Sequence, residues 1–250
     1  FTIEETDKDE PGTEIVLHLR EDEEDESYSQ YAEEYRLKSL VKQYSNYIRY
    51  PIYMTVTERR PVEKEEGDEG DTEYEEVDVQ ETLNSMTPIW EKSKNDLSDE
   101  DYIEFYKQEH FGFDEPLAWV HMVADGTISY RAILYIPGST PYDYYSKDYK
   151  KGLALYSRGV KIMDHCEDLL PDHFSFVKGV VSSEDLSLNL SRETLQQNRQ
   201  LIAIARKIES KITDELKKLL KNDKEKYEKF FENFGIQLKG GIYQSFGANK

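Results

Sequence analysis

LAWVHMVADGTISYRAILYI, residues 117–136, is the part of the sequence with the clearest structural signal. Its two apolar runs, 117–124 and 127–136, are rich in β-branched and aromatic residues and have the length of strands. Asp125 and Gly126 separate them, and an Asp-Gly pair favours a tight β-hairpin turn. These residues therefore predict two antiparallel strands.

The residues that follow predict a second strand pair and a short helix. Residues 153–156 and 160–163 have strand character, and Arg158 and Gly159 lie at the turn between them. Residues 171–181 predict a short helix.

Three further helices are predicted from capping residues and apolar spacing. Residues 98–109 open with a capping box. Ser191 is the expected N-cap of a long helix over 192–220, and Gly235 is the expected stop of a helix over 224–234. Strands followed by helices indicate the α+β class with layered packing and then a helical module.

The N-terminal part predicts an incomplete β-α-β unit. Residues 13–20 alternate as a strand, residues 28–47 show helical spacing, and Pro51 precedes a short strand over 52–57. Such a unit has a thin core and an unmatched sheet edge, so we interpret it as a piece of a domain.

The negative charge is concentrated in the first part of the chain. The net charge is −20, and residues 1–100 contain 30 Asp and Glu against 11 Lys and Arg. Residues 62–81 contain 11 acidic residues and one base, which favours an extended, solvated linker. This balance argues against a nucleic-acid partner. No apolar run is long enough for a membrane span, and a single Cys166 fits a reducing, cytoplasmic compartment.

Common catalytic and metal motifs are missing from the sequence. It has no phosphate-binding loop, no dinucleotide fingerprint, no nucleophile elbow and no zinc-protease motif. His165, Cys166 and His173 have no standard zinc spacing, so we expect no metal site. Nothing places a base beside Cys166, which makes it a weak nucleophile candidate.

Arg192 is unusual because it lies in the first turn of a predicted long helix, where the helix dipole disfavours a cation. Gln196 is four residues on and shares its face. A guanidinium, an amide and free backbone N–H groups at a helix N-terminus suit an anion such as phosphate. The alternative is an exposed arginine paired with a neighbouring acid such as Glu193, which would contribute little.

Several segments resemble the heat-shock protein 90 chaperone family, in order and over nearly the whole chain. They are GTEIVLHL (12–19), TPIW (87–90), FVKGVVSSEDL (176–186) and LNLSRETLQ (188–196). The short acidic linker and Ile162-Met163-Asp164 are similar to the bacterial members.

The resemblance implies a domain arrangement. Residues 1–60 correspond to the C-terminal part of the nucleotide-binding domain, 61–81 to the acidic linker, and 82–250 to the first part of the middle domain. The middle domain of the family is a layered αβα unit with a mixed sheet. The family's catalytic Glu, Mg²⁺ ligand and dimerisation domain have no counterpart here, so we expect a fragment of a longer protein.

The resemblance also implies site residues. Arg192 corresponds to the arginine that reaches the γ-phosphate of ATP on closure, and Gln196 and Asn189 to neighbouring polar residues. Thr13, after Gly12, corresponds to a threonine of the adenine pocket.

Two positions of the middle segment leave alternatives open. Trp90 corresponds to an aromatic residue associated with client contact, although a tryptophan is often simply part of the core. Lys161 stands where many family members have a large apolar residue near the nucleotide domain, so an apolar docking contact is replaced or lost there.

The function implied is that of part of an ATP-dependent chaperone. Its partners would be client proteins, its own N-terminal nucleotide domain and, in the full-length homodimer, a second subunit. ATP and Mg²⁺ would be cofactors of the full-length protein, and we expect this chain alone to bind neither tightly and to hydrolyse no ATP. The alternative is a client or co-chaperone binding module without catalytic contribution. A self-contained phosphotransferase is disfavoured because no nucleotide loop is present.

Overall fold

The computed structural model of the chain describes residues 11–24, 27–61, 74–110, 114–186 and 199–244. These residues belong to two compact units, Phe1–Leu40 and Val41–Lys250. The helices are α1 (Glu34–Leu40), α2 (Asp99–His110), α3 (Arg199–Asn222) and α4 (Lys224–Gln244). The strands are β1 (Tyr53–Pro61), β2 (Tyr74–Thr82), β3 (Ala118–Ala124), β4 (Tyr130–Ile136), β5 (Leu153–Ser157), β6 (Val160–Cys166) and β7 (Lys178–Ser182).

The second unit contains a five-stranded mixed sheet in the order β3-β4-β7-β5-β6. Neighbouring strands are antiparallel, except that β5 and β7 are parallel. β3 and β4 form the predicted hairpin, with Ala124 opposite Tyr130. Its loop is residues 125–129, longer than the tight turn that Asp125 and Gly126 predict, so β4 begins three residues later than expected.

Side chains along β4 alternate between two cores. Ala132, Leu134 and Ile136 face a core that they share with α3 and α4. Ile133 and Tyr135 face the other core, which contains residues of α2. Since helices cover both faces of the sheet, the layered αβα architecture expected from the resemblance is confirmed.

The start of α2 is fixed by the predicted capping box. The Ser98 backbone N–H donates to the Asp101 carboxylate (2.8 Å), and the Asp101 N–H donates to the Ser98 hydroxyl (3.3 Å). Hydrogen bonds from Ser98 hold the pKa of the Asp101 carboxyl below its usual value. The helix predicted over 98–109 is therefore confirmed, together with the reason it begins there.

The turn between β5 and β6 requires left-handed backbone at both of its residues. Arg158 has a φ of 51° and Gly159 a φ of 80°, as a two-residue type I′ turn demands. A Cβ atom at Gly159 would lie 2.1 Å from the carbonyl oxygen of Tyr47. The glycine thus allows the turn and a close approach of the Tyr47 backbone, and the predicted strand pair is confirmed.

The short helix predicted over residues 171–181 is wrong. Asp172–Phe174 forms a single 3₁₀ turn, and the following residues form β7. β7 is a central strand between β4 and β5, and its two faces are buried in the two cores on either side of the sheet. Such a strand lacks the polar alternation that identifies strands in sequence. Gly179 has a φ of 136°, and a Cβ there would lie 2.0 Å from the Ile133 carbonyl oxygen.

The two long helices cover one face of the sheet. The stripe that α3 buries comprises Leu201, Ile204, Ile208, Ile212, Leu216 and Leu219. The stop predicted at Gly235 is wrong, because α4 continues to Gln244. Phe230 and Phe234 are fully buried on α4, and this packing outweighs the cost of about 1 kcal/mol for a glycine inside a helix.

The N-terminal prediction is corrected in two places. Residues 13–20 are exposed and form no regular structure, so the strand predicted there is wrong; a strand needs a neighbour for its backbone groups, and no described segment pairs with it. The helix predicted over 28–47 is divided into the 3₁₀ turn Ser29–Ala32, α1 and the π-helical turn Val41–Ser45.

The expected linker contains a strand. The strand predicted over 52–57 is part of β1, which pairs with β2, and β2 includes residues 74–81 of the segment expected to be a solvated linker. Two side-chain contacts cross this strand pair. Arg59 forms an ion pair with Glu76 (3.1 Å), and the Thr57 hydroxyl donates to Asp78 (2.9 Å).

Candidate functional site

The three residues predicted to act on ATP lie outside the described residues. Arg192, Gln196 and Asn189 belong to residues 187–198, for which the structure describes only the flanking chain.

The chain that enters this segment is held by hydrogen bonds between side chains and backbone. The Ser183 hydroxyl donates to the Ser129 carbonyl (2.7 Å), and the Ser129 N–H donates to the Asp185 carboxylate (2.9 Å). The Ser157 hydroxyl donates to the Leu186 carbonyl (2.7 Å). The last residue before the segment is therefore fixed to the end of β5.

The chain that leaves this segment is fixed by apolar packing. Leu186 is 2% exposed, and Leu201 and Ile204, in the first turns of α3, are each 1% exposed. All three belong to the same core. The described chain on both sides of residues 187–198 is therefore packed into one core, which is the kind of support that a precisely positioned side chain requires.

A small cleft of about 200 Å³ lies beside residues 182–184. Its charged lining residues are Arg49, Arg158, Glu91 and Glu184, and Arg49 forms an ion pair with Glu184. Two acids balance two arginines, so this cleft has no net charge with which to attract an anion.

Trp90 is a core residue in this structure. Its side chain is 1% exposed, and its ring lies 4.7 Å from the Tyr47 ring and 4.9 Å from the Tyr156 ring. The ring is therefore not accessible to a client protein here, and of the two alternatives the core position describes it.

His121 connects Trp90 to α2 through both ring nitrogens. Its Nδ1 lies 2.8 Å from the Tyr102 hydroxyl, and its Nε2 lies 3.2 Å from the Trp90 carbonyl oxygen. The carbonyl can only accept, so the Nε2 carries the proton and Nδ1 accepts from the hydroxyl. Burial lowers the pKa of His121, which keeps the ring neutral.

The Lys161 side chain has interaction partners within the sheet to which it belongs. Its side chain is 13% exposed, its ammonium lies 3.4 Å from the Asp164 carboxylate, and it lies 5.6 Å from the centre of the Tyr156 ring. Burial raises the pKa of the nearby Glu109 carboxyl, and the charge of Lys161 opposes that shift. The residue is thus part of a local charge cluster rather than a free cation.

The remaining sequence candidates are Gly12, Thr13 and Cys166. Gly12 and Thr13 are exposed and belong to the first unit. Burial raises the pKa of the Cys166 thiol to about 11, and Cys166 is 1% exposed, which suits a core residue and not a nucleophile.

Among the described residues, no group of three His, Cys, Asp or Glu side chains is placed to hold a metal ion. Within that same part of the chain, no helix has the length and apolar character to span a bilayer.

A larger cleft of about 850 Å³ lies between β3 and α3. The sheet contributes an apolar lining that includes Val120, Met122 and Val123. The helix contributes polar side chains, among them Lys207 and Lys211. The sequence does not predict this cleft. In the sequence, Lys207 and Lys211 are only two lysines four residues apart, and the strand that faces them becomes visible only in the structure.

A family model described as Hsp90 protein matches residues 30–82 and 71–249, and so covers most of the chain. The chain belongs to the HSP90 family. The resemblance drawn from its motifs is confirmed.

Relatives of this HSP90-family chain are bacterial proteins named chaperone protein HtpG. Those of Bacillus subtilis (strain 168) and Clostridium perfringens (strain 13 / Type A) are 57% and 56% identical over 250 residues, and that of Clostridium botulinum (strain 657 / Type Ba4) is 55% identical. Each match covers 100% of this chain and 39% of the relative. The chain therefore spans about two fifths of the length of these curated relatives.

A solved structure supports the same assignment. The middle domain of a Plasmodium falciparum heat shock protein superimposes with a TM-score of 0.57 at 32% sequence identity. The match covers 64% of this chain and 62% of the other. The αβα layers described above are thus similar to an HSP90-type middle domain.

Proposed function

We propose that the chain is part of an ATP-dependent molecular chaperone, in which it binds client proteins and supplies Arg192 to the γ-phosphate of ATP. The observation that carries the proposal is family membership over the whole chain, including the segment that contains Arg192. Asn189 and Gln196 would assist Arg192, and Gly12 and Thr13 would contribute to the adenine pocket. ATP and Mg²⁺ would bind in the full-length protein, which would act as a cytoplasmic homodimer.

The anchored flanks of residues 187–198 support this role physically. A guanidinium stabilises the charge that develops on a phosphoryl group only if it arrives in a defined position. The hydrogen bonds to Leu186 and Asp185 and the burial of Leu201 fix both ends of the segment. Delivery of Arg192 by the closing of one domain onto another would then couple hydrolysis to closure.

The test is ATP turnover by a separately produced N-terminal domain, with this chain titrated in. We expect stimulation by the wild-type chain and none by Arg192→Ala. Arg206→Ala is the matched control, because Arg206 is an exposed arginine on α3 outside the motif and its loss should leave stimulation unchanged.

Client binding is measured separately, as suppression of the aggregation of a thermally unfolding protein. If Arg192→Ala stimulates turnover as well as the wild type does, the catalytic proposal fails and a binding module remains. If neither variant stimulates, Lys161→Phe restores the apolar residue common in the family and tests whether docking is limiting.

A further inference from the structure

The cleft between β3 and α3 combines an unpaired sheet edge with a row of cations. β3 is the first strand of the five-stranded sheet and pairs with β4 along one edge; no described strand pairs with the other. An edge strand presents alternate N–H and C=O groups to which another extended chain can bind. Five consecutive residues of β3, Val120 to Ala124, line the cleft of about 850 Å³.

The two faces of β3 offer different surfaces beside that edge. Val120, Met122 and Ala124 point towards the core shared with α3. On the other face Val123 is 50% exposed and Trp119 is half-buried, so apolar surface remains uncovered there. A chain added to β3 would therefore direct alternate side chains to the α3 wall and to this apolar surface.

The α3 wall is positive, although the whole chain carries a net charge of −20. Lys207, Lys211 and Lys218 line it, and Lys94 lines the cleft from the other side; the acids of the lining are Asp214 and Glu215. Glu215 and Lys218 are paired with each other (3.1 Å), which leaves Lys94, Lys207 and Lys211 against Asp214. A local excess of positive charge in an acidic protein selects for acidic residues in whatever occupies the cleft.

We propose that this cleft binds an extended segment of a partner protein in which acidic and apolar residues alternate. The segment adds to β3 as a strand of about seven residues, with its acids towards Lys207 and Lys211 and its apolar residues towards Val123 and Trp119. Backbone hydrogen bonds supply affinity, and the lysines and the apolar surface supply selectivity. The inference rests on the client-binding half of the proposed function and specifies its surface and its preferred sequence.

The probe is a fluorescein-labelled ten-residue peptide that alternates Glu and Val, and its binding to the whole chain is followed by fluorescence anisotropy. The charge-reversing variant Lys207→Glu/Lys211→Glu should weaken binding by about tenfold or more at low salt. Lys217→Glu/Lys221→Glu is the matched control, since it changes the same charge at the same spacing on α3 and both residues lie outside the cleft lining. The dissociation constant of the peptide from this control variant should stay within about twofold of the wild-type value.

The strand-addition geometry is tested with the peptide, which leaves the protein unchanged. N-methylation of alternate peptide residues blocks the backbone donors on one edge and should abolish binding in one of the two methylation registers. A peptide that alternates Lys and Val should not bind. Hydrogen exchange should show new protection confined to amides of β3 and the facing turns of α3.

Other outcomes would overturn the proposal. Equal binding by the two charge variants, or protection elsewhere, would remove this surface from consideration. If sedimentation shows a dimer that the peptide dissociates, the occupant of the cleft is a second copy of the chain. If peptide binding tightens when the acids of residues 62–73 are neutralised, the occupant is the chain's own acidic segment. If the Lys207→Glu/Lys211→Glu variant still suppresses aggregation, the inference fails while client binding stands; if the wild type does not suppress it, the proposed function itself fails.

Discussion

Replacement of Trp90 by alanine tests whether this residue serves the core or a client surface. Its side chain is 1% exposed and contacts the rings of Tyr47 and Tyr156. A buried indole removes about 200 Å² of apolar surface from water, which at ~25 cal/mol per Å² corresponds to about 5 kcal/mol. We expect Trp90→Ala to lower the free energy of unfolding by about 3–5 kcal/mol, because the remaining cavity relaxes only in part.

The measurement is urea unfolding followed by far-UV circular dichroism. Trp119→Ala is the control, since Trp119 is half-buried and stacks on Tyr102 with ring centres 5.5 Å apart; we expect a loss of about 1–2 kcal/mol there. Aggregation suppression by Trp90→Ala and by the wild type is then compared under conditions in which both are folded. An unchanged unfolding midpoint for Trp90→Ala, together with lost suppression, would refute the core assignment.

Three further outcomes are expected. Gly179→Ala should destabilise the chain by more than ~2 kcal/mol in the same assay, because its Cβ would meet the Ile133 carbonyl at 2.0 Å, whereas Gly126→Ala, with no atom within 4 Å, should be nearly neutral. Burial lowers the pKa of His121 below its ordinary 6.5, so below that pH the unfolded chain binds more protons than the folded chain. The free energy of unfolding should therefore decline below about pH 6.5, and less steeply in His121→Gln. Cys166 should react with a thiol reagent at pH 8 only after unfolding, because its pKa is about 11 and it is 1% exposed; fast labelling of the folded chain would contradict this.

Elements with a strong local signal were predictable. The capping box at Ser98 and the two-residue turn at Arg158 and Gly159 depend on neighbours within a few residues, and the structure confirms both. Each is governed by local backbone and side-chain chemistry that is written in the sequence.

Elements whose stability depends on distant partners were mispredicted. β7 is a strand because β4 and β5 lie on either side of it, and α4 passes Gly235 because its phenylalanines are buried. Residues 13–20 have the alternation of a strand but no described segment pairs with them, whereas residues 74–82 find a partner strand in β1. A pattern states which conformation a segment can adopt, and its partners determine whether it does.

The sequence by itself determined the family, through motifs that are contiguous in the chain, and with it the proposed roles of Arg192, Gln196 and Asn189. Only the tertiary structure decided that Trp90 is buried against Tyr47 and Tyr156. It alone brought the edge of β3 beside Lys207 and Lys211 to form a cleft. The physical reason is that burial and charge pairing depend on distances between residues far apart in sequence, which no local pattern records.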